Sequence, residues 1–279
     1  MSPPGMSQPV FTPIAAEIAR AAGHVLMRHF GHVRVEYKGG MDLITAADRA
    51  SEALIVERLR AAFPQHDLIA EEGSQHNSGS PYRWYVDPLD GTTNYAHSVP
   101  VFAVSLGLER EGRRIAGVVY NPAQEELFAA ELGCGASLNG RPIRVSTVEK
   151  LEESLLATGF PTQNQSQNPN IWLYYAATLK THGVRRLGSA ALDLCYAACG
   201  RFEGFWEFGL KPWDMAAGAC ILECAGGCVS ALEGGPFSLT GPTILATNGK
   251  IHAAAQALFA QARAGEREAP LPGLAAGRS

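Results

Sequence analysis

Residues 84–94 read Trp-Tyr-Val-Asp-Pro-Leu-Asp-Gly-Thr-Thr-Asn, a stretch in which Asp87 and Asp90 stand three residues apart. Its first half is apolar and rich in residues that favour β-structure, which predicts a buried strand. Pro88 cannot donate to a sheet ladder, so we expect the strand to end there. Gly91 permits a tight turn, and the Thr-Thr-Asn that follows can open a short helix. The two carboxylates are therefore predicted to lie at a strand-to-helix junction.

That junction has the chemistry of a metal-assisted phosphate site. Carboxylates are preferred ligands of hard divalent cations such as Mg²⁺. The unpaired backbone N–H groups at a helix N-terminus favour a phosphate. The stretch therefore predicts half of such a site, and the remaining ligands must come from elsewhere in the chain.

Length and composition narrow the class of protein. A chain of 279 residues, 46% of them hydrophobic, can bury a sizeable core, either as one large domain or as two closely packed halves. The net charge of −4 argues against a nucleic-acid surface built on bulk positive charge. No apolar run reaches the roughly 18 residues that a membrane-spanning helix needs. The N-terminus lacks the pattern of a secretion signal, so we predict a cytoplasmic protein.

The six cysteines fit that compartment. Cys195 and Cys199, and likewise Cys220 and Cys224, are spaced by four residues inside apolar helical patterns. There is no Cys-x-x-Cys motif and no interleaved histidine. We therefore predict buried thiols rather than a redox or soft-metal site.

The first half of the chain predicts a pair of helices and an antiparallel sheet. Apolar spacing predicts helices over 13–30 and 46–63, and alternating or apolar runs predict strands over 33–38 and 68–70. Further strands are predicted at 101–108, 115–120 and 126–129. Turns near Gly133 and at Asn139-Gly140 are better explained as hairpins than as a nucleotide loop.

The second half has a more α/β pattern. Strands are predicted at 154–158, 204–207, 228–231 and 243–246, and helices at 171–181, 190–198 and 250–263, with one more helix opening at Trp213-Asp214. Residues 186–189 are predicted as a strand that turns into a helix N-terminus. We therefore divide the chain into a flexible N-terminus at 1–12, an α+β half with the metal-binding motifs at 13–150, an α/β half with a substrate-binding segment at 151–263, and a disordered tail at 264–279.

Six acidic residues stand at predicted element boundaries. Strands end at Glu71, Asp87 and Glu207, and helices begin at Asp48, Asp90 and Asp214. Taken singly, some have plainer explanations, because Asp48 resembles a capping-box residue and Asp214 can cap its helix. Brought together, such carboxylates stay ionised only if cations neutralise them, and two Mg²⁺ ions about 4 Å apart would do so.

These motifs, taken in order, resemble the inositol monophosphatase family. The resemblance rests on Asp48, Ala70-Glu71-Glu72, the Asp-Pro-Leu-Asp-Gly-Thr-Thr-Asn stretch at 87–94, and Trp213-Asp214-x-x-Ala217-Gly218, and it extends from about Ile14 to Arg263. Further segments, such as Thr158-Gly159-Phe160-Pro161, resemble the bacterial branch. Ala70 and Gly73 depart from the common pattern without removing a ligand. The resemblance implies an α/β (α+β) fold, a layered α-β-α-β-α sandwich of the inositol monophosphatase and fructose-1,6-bisphosphatase type, and a lithium-sensitive, Mg²⁺-dependent homodimer.

The resemblance also implies a role for each site residue. Glu71, Asp87 and the carbonyl of Leu89 would hold the first Mg²⁺, and Asp87, Asp90 and Asp214 the second. A third, weaker ion would lie near Glu71 and the loop that contains Lys38. The backbone N–H groups of Gly91 and Thr92 would bind the phosphate, while Glu71, Thr92 and Asp48 would orient and deprotonate the attacking water. The substrate would contact Gly188, Ser189, Ala190 and Glu207, with Asp90 and Asp214 also in the substrate-binding set.

The expected reaction is hydrolysis of inositol monophosphate, and two alternatives stay open. Related phosphatases act on fructose bisphosphate, NADP or histidinol phosphate, although adenosine-bisphosphate and histidinol-phosphate phosphatases commonly carry Lys where this chain has Thr93. The alternative of another class is an RNA polymerase-associated factor in rRNA transcription, with Lys180, Arg185 and Arg186 as candidate surface contacts. Nucleic acid itself is not an expected partner.

Overall fold

Two β-sheets with a pair of buried helices between them form the frame of the protein. The computed structural model describes residues 10–32, 35–39, 42–160 and 168–265. In chain order the elements are α1 (Thr12–His29), β1 (Val35–Gly39), β2 (Asp42–Thr45), α2 (Ala46–Ala62), β3 (Asp67–Ala70), β4 (Gln75–His76), β5 (Tyr82–Asp90), α3 (Thr92–Ala96), β6 (Ala103–Arg110), β7 (Arg113–Asn121), β8 (Glu126–Glu131), β9 (Gly135–Leu138), β10 (Arg141–Pro142), β11 (Leu155–Thr158), α4 (Asn170–Lys180), β12 (Gly183–Arg185), α5 (Ala190–Ala198), β13 (Gly204–Phe208), α6 (Pro212–Cys224), β14 (Cys228–Ser230), β15 (Thr243–Thr247) and α7 (His252–Arg263).

The first sheet has eight strands in the order β10-β9-β8-β7-β6-β5-β3-β4, and the second has five in the order β12-β11-β13-β15-β14. In the first sheet only the β3–β5 pair is parallel, and β6, β7 and β8 are antiparallel neighbours, as predicted. In the second sheet β11 is parallel to both β12 and β13, whereas β15 is antiparallel to its neighbours. The hairpins predicted around Asn139-Gly140 are present as the β8–β9–β10 turns.

Three apolar clusters set the order of the layers. Helices α5 and α6 fill the space between the sheets, where Phe128 of the first sheet and Phe205 of the second belong to the same cluster. Helices α1 and α2 cover the outer face of the first sheet over Trp84. Helices α4 and α7 cover the outer face of the second, where the rings of Trp206 and Phe259 lie 4.7 Å apart. This order confirms the predicted α-β-α-β-α sandwich.

Helix α6 lies unusually close to the first sheet because two strands carry glycine beneath it. A Cβ atom on Gly107 would lie 2.5 Å from the Cβ of Ala216, and one on Gly117 would lie 2.5 Å from the carbonyl oxygen of Ala217. Cβ atoms essentially never make non-bonded contacts that short. Glycine at both positions therefore allows the helix to rest on the backbone of β6 and β7.

The structure corrects the prediction that Pro88 ends its strand. Strand β5 continues to Asp90, and its pairing with β6 shifts register between Asp87 and Asp90. Proline is tolerated at such an irregularity because the missing N–H would not have joined the regular ladder. The Pro88 carbonyl accepts a hydrogen bond from the Ser51 hydroxyl at 2.9 Å, which anchors the bulged segment to α2.

Smaller differences between the prediction and the structure concern the ends of helices and strands. Strand β12 ends at Arg185, so residues 186–189 are not the strand that was predicted. Val10 and Phe11, at the end of the predicted flexible N-terminus, donate their backbone N–H groups to the Glu131 carboxylate at 2.8 and 2.9 Å. Residues 1–9 and 266–279, which include most of the predicted tail, lie outside the described residues.

The six cysteines all fall within the described ranges and form no disulfide; Cys195 and Cys220 are buried, as predicted, and the other four are half-buried.

None of the helices in the described ranges combines the length and the apolar character that crossing a membrane would require.

Candidate active site

The residues predicted for the site converge on one cavity of about 530 Å³. Its wall contains all of them except Asp48, namely Glu71, Asp87, Leu89, Asp90, Gly91, Thr92, Gly188, Ser189, Ala190, Glu207 and Asp214. They come from both sheets and from the beginnings of α5 and α6. A cavity of this volume has the usual size of a small-molecule site.

The irregular end of β5 brings Asp87, Leu89 and Asp90 to the wall of the cavity. The Leu89 N–H donates to Asp87 Oδ1 at 3.0 Å, which fixes the orientation of that carboxylate. Asp87 is 2% exposed and lies inside the strand, not at its end as the sequence suggested. Glu71 is the first residue after β3, which is the position predicted for it. The adjacent Glu72 instead donates its N–H to the Glu52 carboxylate at 2.7 Å.

Gly91 makes the turn between β5 and α3. Its φ of +92° belongs to the left-handed region that disfavours a side chain, and a Cβ there would lie 2.9 Å from the carbonyl oxygen of Val101. The predicted short helix does begin at Thr92. The turn places Gly91 and Thr92 on the wall of the cavity.

Asp48 lies behind Thr92 and does not line the cavity. Its Oδ2 accepts the Thr45 N–H at 2.9 Å in a capping box at the start of α2, as the sequence predicted. Its Oδ1 is 3.4 Å from the Thr92 hydroxyl, which is also 3.0 Å from the Leu89 carbonyl oxygen. The two interpretations of Asp48 are thus compatible, because one oxygen caps the helix and the other faces Thr92.

Asp90 connects the first sheet to α5. Its Oδ2 accepts the Ser189 hydroxyl at 2.6 Å and the Ala191 N–H at 2.8 Å. Asp214 is the third residue of α6 and lines the cavity; its carboxylate accepts the N–H of the N-cap residue Lys211 at 2.7 Å, so it helps to cap the helix but is not itself the N-cap that the sequence predicted. The two central helices therefore each begin at this site.

A second connection runs through Asn94. Its side-chain amide donates to the Val101 carbonyl at 2.8 Å and to the Leu187 carbonyl at 2.7 Å. Gly188, with φ of +80°, passes so close that a Cβ would lie 3.1 Å from the Asn94 amide nitrogen. Asn94 thus holds the segment before α5 against the turn after β5.

The carboxylates raise one another's pKa. Burial first, and then the charges of Glu71, Asp90 and Asp214, raise the pKa of Asp87 well above its ordinary range. Burial and then the charge of Asp90 raise the pKa of Asp214 in the same direction. Burial raises the pKa of Asp90 to about 6, against hydrogen bonds that favour its ionised form. A cation would relieve this repulsion.

The donor set of carboxylates and one backbone carbonyl suits a hard cation. Across the described residues, however, no three His, Cys, Asp or Glu side chains already stand in the arrangement of a metal centre. The carboxylates would therefore have to turn toward an ion to bind it. The predicted third ion involves the Lys38 side chain, which lies outside the described part of the structure.

Glu207 lies near the end of β13, one residue before its last, and forms the opposite wall. Gly159 leaves room for it, because a Cβ there would lie 2.2 Å from Glu207 Oε2. Burial, followed by the charges of Asp214 and Asp90, raises the pKa of the Glu207 carboxyl well above its ordinary range, and Arg186 acts in the opposite direction. This wall of the cavity therefore contains a buried carboxyl group, that of Glu207, near the positive charge of Arg186.

The sequence did not identify Asp193, which also lines the cavity. It is 1% exposed on α5, and its Oδ1 is buried without a hydrogen-bond partner. Burial and then the charges of Glu207 and Asp90 raise its pKa well above the ordinary range. A single acid in the otherwise apolar run 190–198 was the available signal, since an acid is rarely buried without a specific reason.

Comparisons with known proteins show which family the chain belongs to. The model of the inositol monophosphatase family matches residues 7–266. An inositol-1-monophosphatase from Synechocystis sp. is 48% identical over 257 residues, which cover 88% of this chain and 90% of that protein. A protein named Nus factor SuhB from Pseudomonas aeruginosa is 45% identical over 246 residues, which cover 85% of this chain and 91% of that one. The solved structure of an inositol monophosphatase from Anabaena (Nostoc) sp. aligns with a TM-score of 0.82 at 45% identity, over 90% of this chain and 95% of that chain. The chain therefore belongs to the inositol monophosphatase family and is a phosphatase.

Proposed function

We propose that this phosphatase hydrolyses myo-inositol 1-phosphate to inositol and phosphate with the help of Mg²⁺. The observation that carries the proposal is the convergence of Glu71, Asp87, Asp90 and Asp214 on one cavity that also contains the Gly91 turn. The relatives named as inositol monophosphatases support the choice of substrate.

Two or three Mg²⁺ ions fit the chemistry of these residues. Glu71, Asp87 and the Leu89 carbonyl would hold one ion, and Asp87, Asp90 and Asp214 another, because each set consists of the oxygen ligands that Mg²⁺ prefers. When bound, the ions would neutralise the carboxylates and stabilise the charge that develops on the phosphate oxygens. Inhibition by lithium is part of this proposal.

The chain's own groups would orient the reactants. The backbone N–H groups of Gly91 and Thr92 would bind the phosphate, and the Thr92 hydroxyl, held 3.0 Å from the Leu89 carbonyl, would orient the attacking water. Glu71 lines the cavity and would accept the proton of that water, while Asp48 would act through Thr92. General-base catalysis of this kind contributes roughly a hundredfold to ten-thousandfold in rate.

The opposite wall would select the substrate. Gly188, Ser189 and Ala190 form the segment before and at the start of α5, and Glu207 faces it across the cavity. These groups would accept hydrogen bonds from the hydroxyls of a polyol and donate hydrogen bonds to them. Asp90 and Asp214 would also contact the substrate's hydroxyls. Fructose bisphosphate, NADP and histidinol phosphate are the competing substrates.

Further features belong to the proposal. A division at residue 150 is supported by the change there from the eight-stranded to the five-stranded sheet. A cytoplasmic homodimer is the state that the family resemblance favours.

The test is a comparison of turnover with Mg²⁺ on inositol 1-phosphate, fructose bisphosphate, histidinol phosphate and NADP. Wild-type protein should release phosphate fastest from inositol 1-phosphate, Asp214→Asn should abolish release, and Glu57→Gln, which changes an exposed acid on α2, should leave it unchanged. No turnover of any phosphomonoester would overturn the proposal. Fastest turnover of another substrate would replace inositol phosphate as the substrate.

A second role in transcription is favoured by the relative named Nus factor SuhB, at 45% identity. Under this proposal the protein would bind RNA polymerase through a surface independent of hydrolysis. Co-purification with RNA polymerase that survives Asp87→Asn would support it, and absence of co-purification with the wild-type chain would refute it.

A further inference from the structure

A second cavity, of about 570 Å³, lies at the other end of α6 from the candidate active site. Asp214 is the third residue of this helix and Cys224 is its last, so the two are separated by about 15 Å along the helix axis. The charged and sulfur-containing residues on the wall of this second cavity are Arg113, Arg114, Cys220, Glu223 and Cys224. The proposed phosphatase reaction uses none of them.

The thiols of Cys220 and Cys224 contact each other across one turn of α6. Residues four apart lie on the same face of a helix, and the Cys220 S–H donates a hydrogen bond to the Cys224 sulfur. This hydrogen bond lowers the pKa of Cys224, against burial and the charges of Glu223 and Glu131. The same hydrogen bond, followed by burial, raises the pKa of Cys220 well above its ordinary range. Because the helix dipole opposes a negative charge at this end, the thiolate of Cys224 depends on the hydrogen bond from Cys220.

The other helical pair of cysteines has the opposite arrangement. Cys199 follows Cys195 by four residues at the end of α5 and is half-buried, as Cys224 is. Its own thiol donates to the Tyr196 carbonyl, with 3.5 Å between sulfur and oxygen. Burial raises the pKa of Cys199, and the thiol does not line the second cavity. Since the thiolate is the nucleophile, Cys224 is the more reactive of the two half-buried thiols.

The charges around Cys224 favour an anionic reactant. Arg114 is held by the Glu223 carboxylate at 2.7 Å, and its guanidinium carbon lies 4.8 Å from the centre of the Phe237 ring. Arg113 also lines the cavity and is exposed. The two arginines outnumber the one glutamate on this wall, so its fixed charge is positive and attracts carboxylates more than ammonium groups.

We propose that Cys224 is a thiol-modification site, which reacts with small anionic disulfides of the glutathione type to form a mixed disulfide. The Cys224 thiolate attacks one sulfur of the external disulfide; the new S–S bond forms as the old one breaks, and the departing thiolate takes a proton from water. The external disulfide is the oxidant, and half of it leaves as the reduced thiol.

The reaction stops at the mixed disulfide because of the geometry of the helix. Cβ atoms four residues apart on a helix are separated by about 5–6 Å, whereas a disulfide requires about 3.5–4.5 Å. Cys220 is also buried, which keeps it from an external reactant. Its role is therefore to donate to Cys224, not to displace the bound thiol by forming a disulfide within α6.

The experiment treats the full chain with glutathione disulfide near neutral pH and identifies the modified cysteines over time by peptide mass spectrometry. Cys224 should react first, with a second-order rate constant at least about tenfold above that of Cys199. Cystamine, a cationic disulfide, serves as the second probe. Arg113→Gln should lower the ratio of the two rate constants at Cys224, glutathione disulfide over cystamine, by at least about twofold. Arg185→Gln, which changes an exposed arginine outside the cavity, should leave this ratio unchanged.

Two substitutions of Cys220 test the hydrogen bond. Cys220→Ala should lower the rate constant at Cys224 by about threefold to tenfold, because the lost thiolate is partly offset by the higher nucleophilicity of a more basic sulfur. Cys220→Ser keeps a donor and should stay closer to the wild-type rate, with melting temperatures measured for both variants. The order of modification in the wild-type protein decides the inference even if a variant is less stable.

Four results would each overturn the inference. These are modification of any other cysteine before Cys224, a Cys220–Cys224 disulfide in place of the mixed disulfide, an unchanged rate at Cys224 in folded Cys220→Ala, and an unchanged ratio of rate constants in Arg113→Gln.

Discussion

Replacing Asp90 with asparagine should make the metal-free protein more stable while removing its activity. The Asp90 carboxylate accepts hydrogen bonds from Ser189 and Ala191 through one oxygen, and an asparagine oxygen can accept both. The substitution therefore preserves these two hydrogen bonds to the start of α5 and removes the charge, while the backbone N–H groups of Ala190 and Gly91, which favour the ionised form, lose a charged acceptor. That charge is costly, because burial raises the pKa of Asp90 to about 6.

The size and sign of the effect follow from this pKa. The rise from the ordinary value of 3.8 to about 6 corresponds to about 3 kcal/mol of stability lost when Asp90 is ionised. Below about pH 4 both the folded and the unfolded chain are protonated and nothing is lost. Between about pH 4 and 6 the unfolded chain ionises first, so the stability of the folded chain falls, and above about pH 6 the full loss is present. The Asp90→Asn variant avoids this loss, which should raise the melting temperature by about 6 °C at pH 8.

The assay is thermal unfolding in EDTA and in Mg²⁺, from pH 4 to pH 8. In EDTA the advantage of Asp90→Asn should be absent at pH 4 and reach its maximum above pH 6. In Mg²⁺ at a thousand times its Kd the order should reverse, because a bound ion then stabilises the wild type by about 4.1 kcal/mol, which exceeds the loss of about 3 kcal/mol, and the variant lacks a ligand. Glu57→Gln should show neither effect. A variant that melts below the wild type in EDTA at pH 8 would refute the reasoning.

Three further substitutions test the positioning of the site. Gly91→Ala should lower the free energy of unfolding by about 1–3 kcal/mol and turnover at least about tenfold, because the φ of +92° disfavours a side chain and the new Cβ meets the Val101 carbonyl. An unchanged melting temperature would contradict this prediction. Asn94→Ala should cost about 2–3 kcal/mol by leaving two carbonyls without their donor, and a loss under about 0.5 kcal/mol in urea unfolding would show that the connection is weak. Asp48→Asn keeps an oxygen for the helix cap but cannot act as a base through Thr92. We therefore expect kcat to fall at least about tenfold with little change in melting temperature. A fall in kcat that is matched by a loss of thermal stability would mean that Asp48 only caps the helix.

Short-range patterns predicted many of the helices and strands, whereas the order of the layers and most of the cavity wall were implied by the resemblance to the inositol monophosphatase family. Apolar spacing identified α1, α2 and the strands β6 to β8, and the acids at element boundaries identified the cavity. The error at Pro88 arose because a proline stops a regular strand but is compatible with a bulge, and only the pairing with β6 distinguishes the two.

Other features depend on contacts between residues far apart in the chain. Asp193 has no neighbour in sequence that explains its burial, and only the packing of α5 brings it toward Glu207. Arg186 resembled a solvated charge because its ring partner Phe160 lies 26 positions earlier. Asn94 was seen as the opening of a helix, while its hydrogen bond to Leu187 joins α3 to the segment between β12 and α5.

The close approach of α6 to the first sheet makes two remote glycines part of the geometry of the candidate site. Gly107 and Gly117 do not line the cavity, but they act as spacers that set the depth at which α6 rests on β6 and β7. Asp214 stands on the first turn of that helix, and Asp87 belongs to the strand beside β6. One methyl group at either glycine would lift the helix and widen the gap between the two carboxylates. The separation of the acids is therefore encoded as much by the absence of side chains beneath α6 as by the acids themselves.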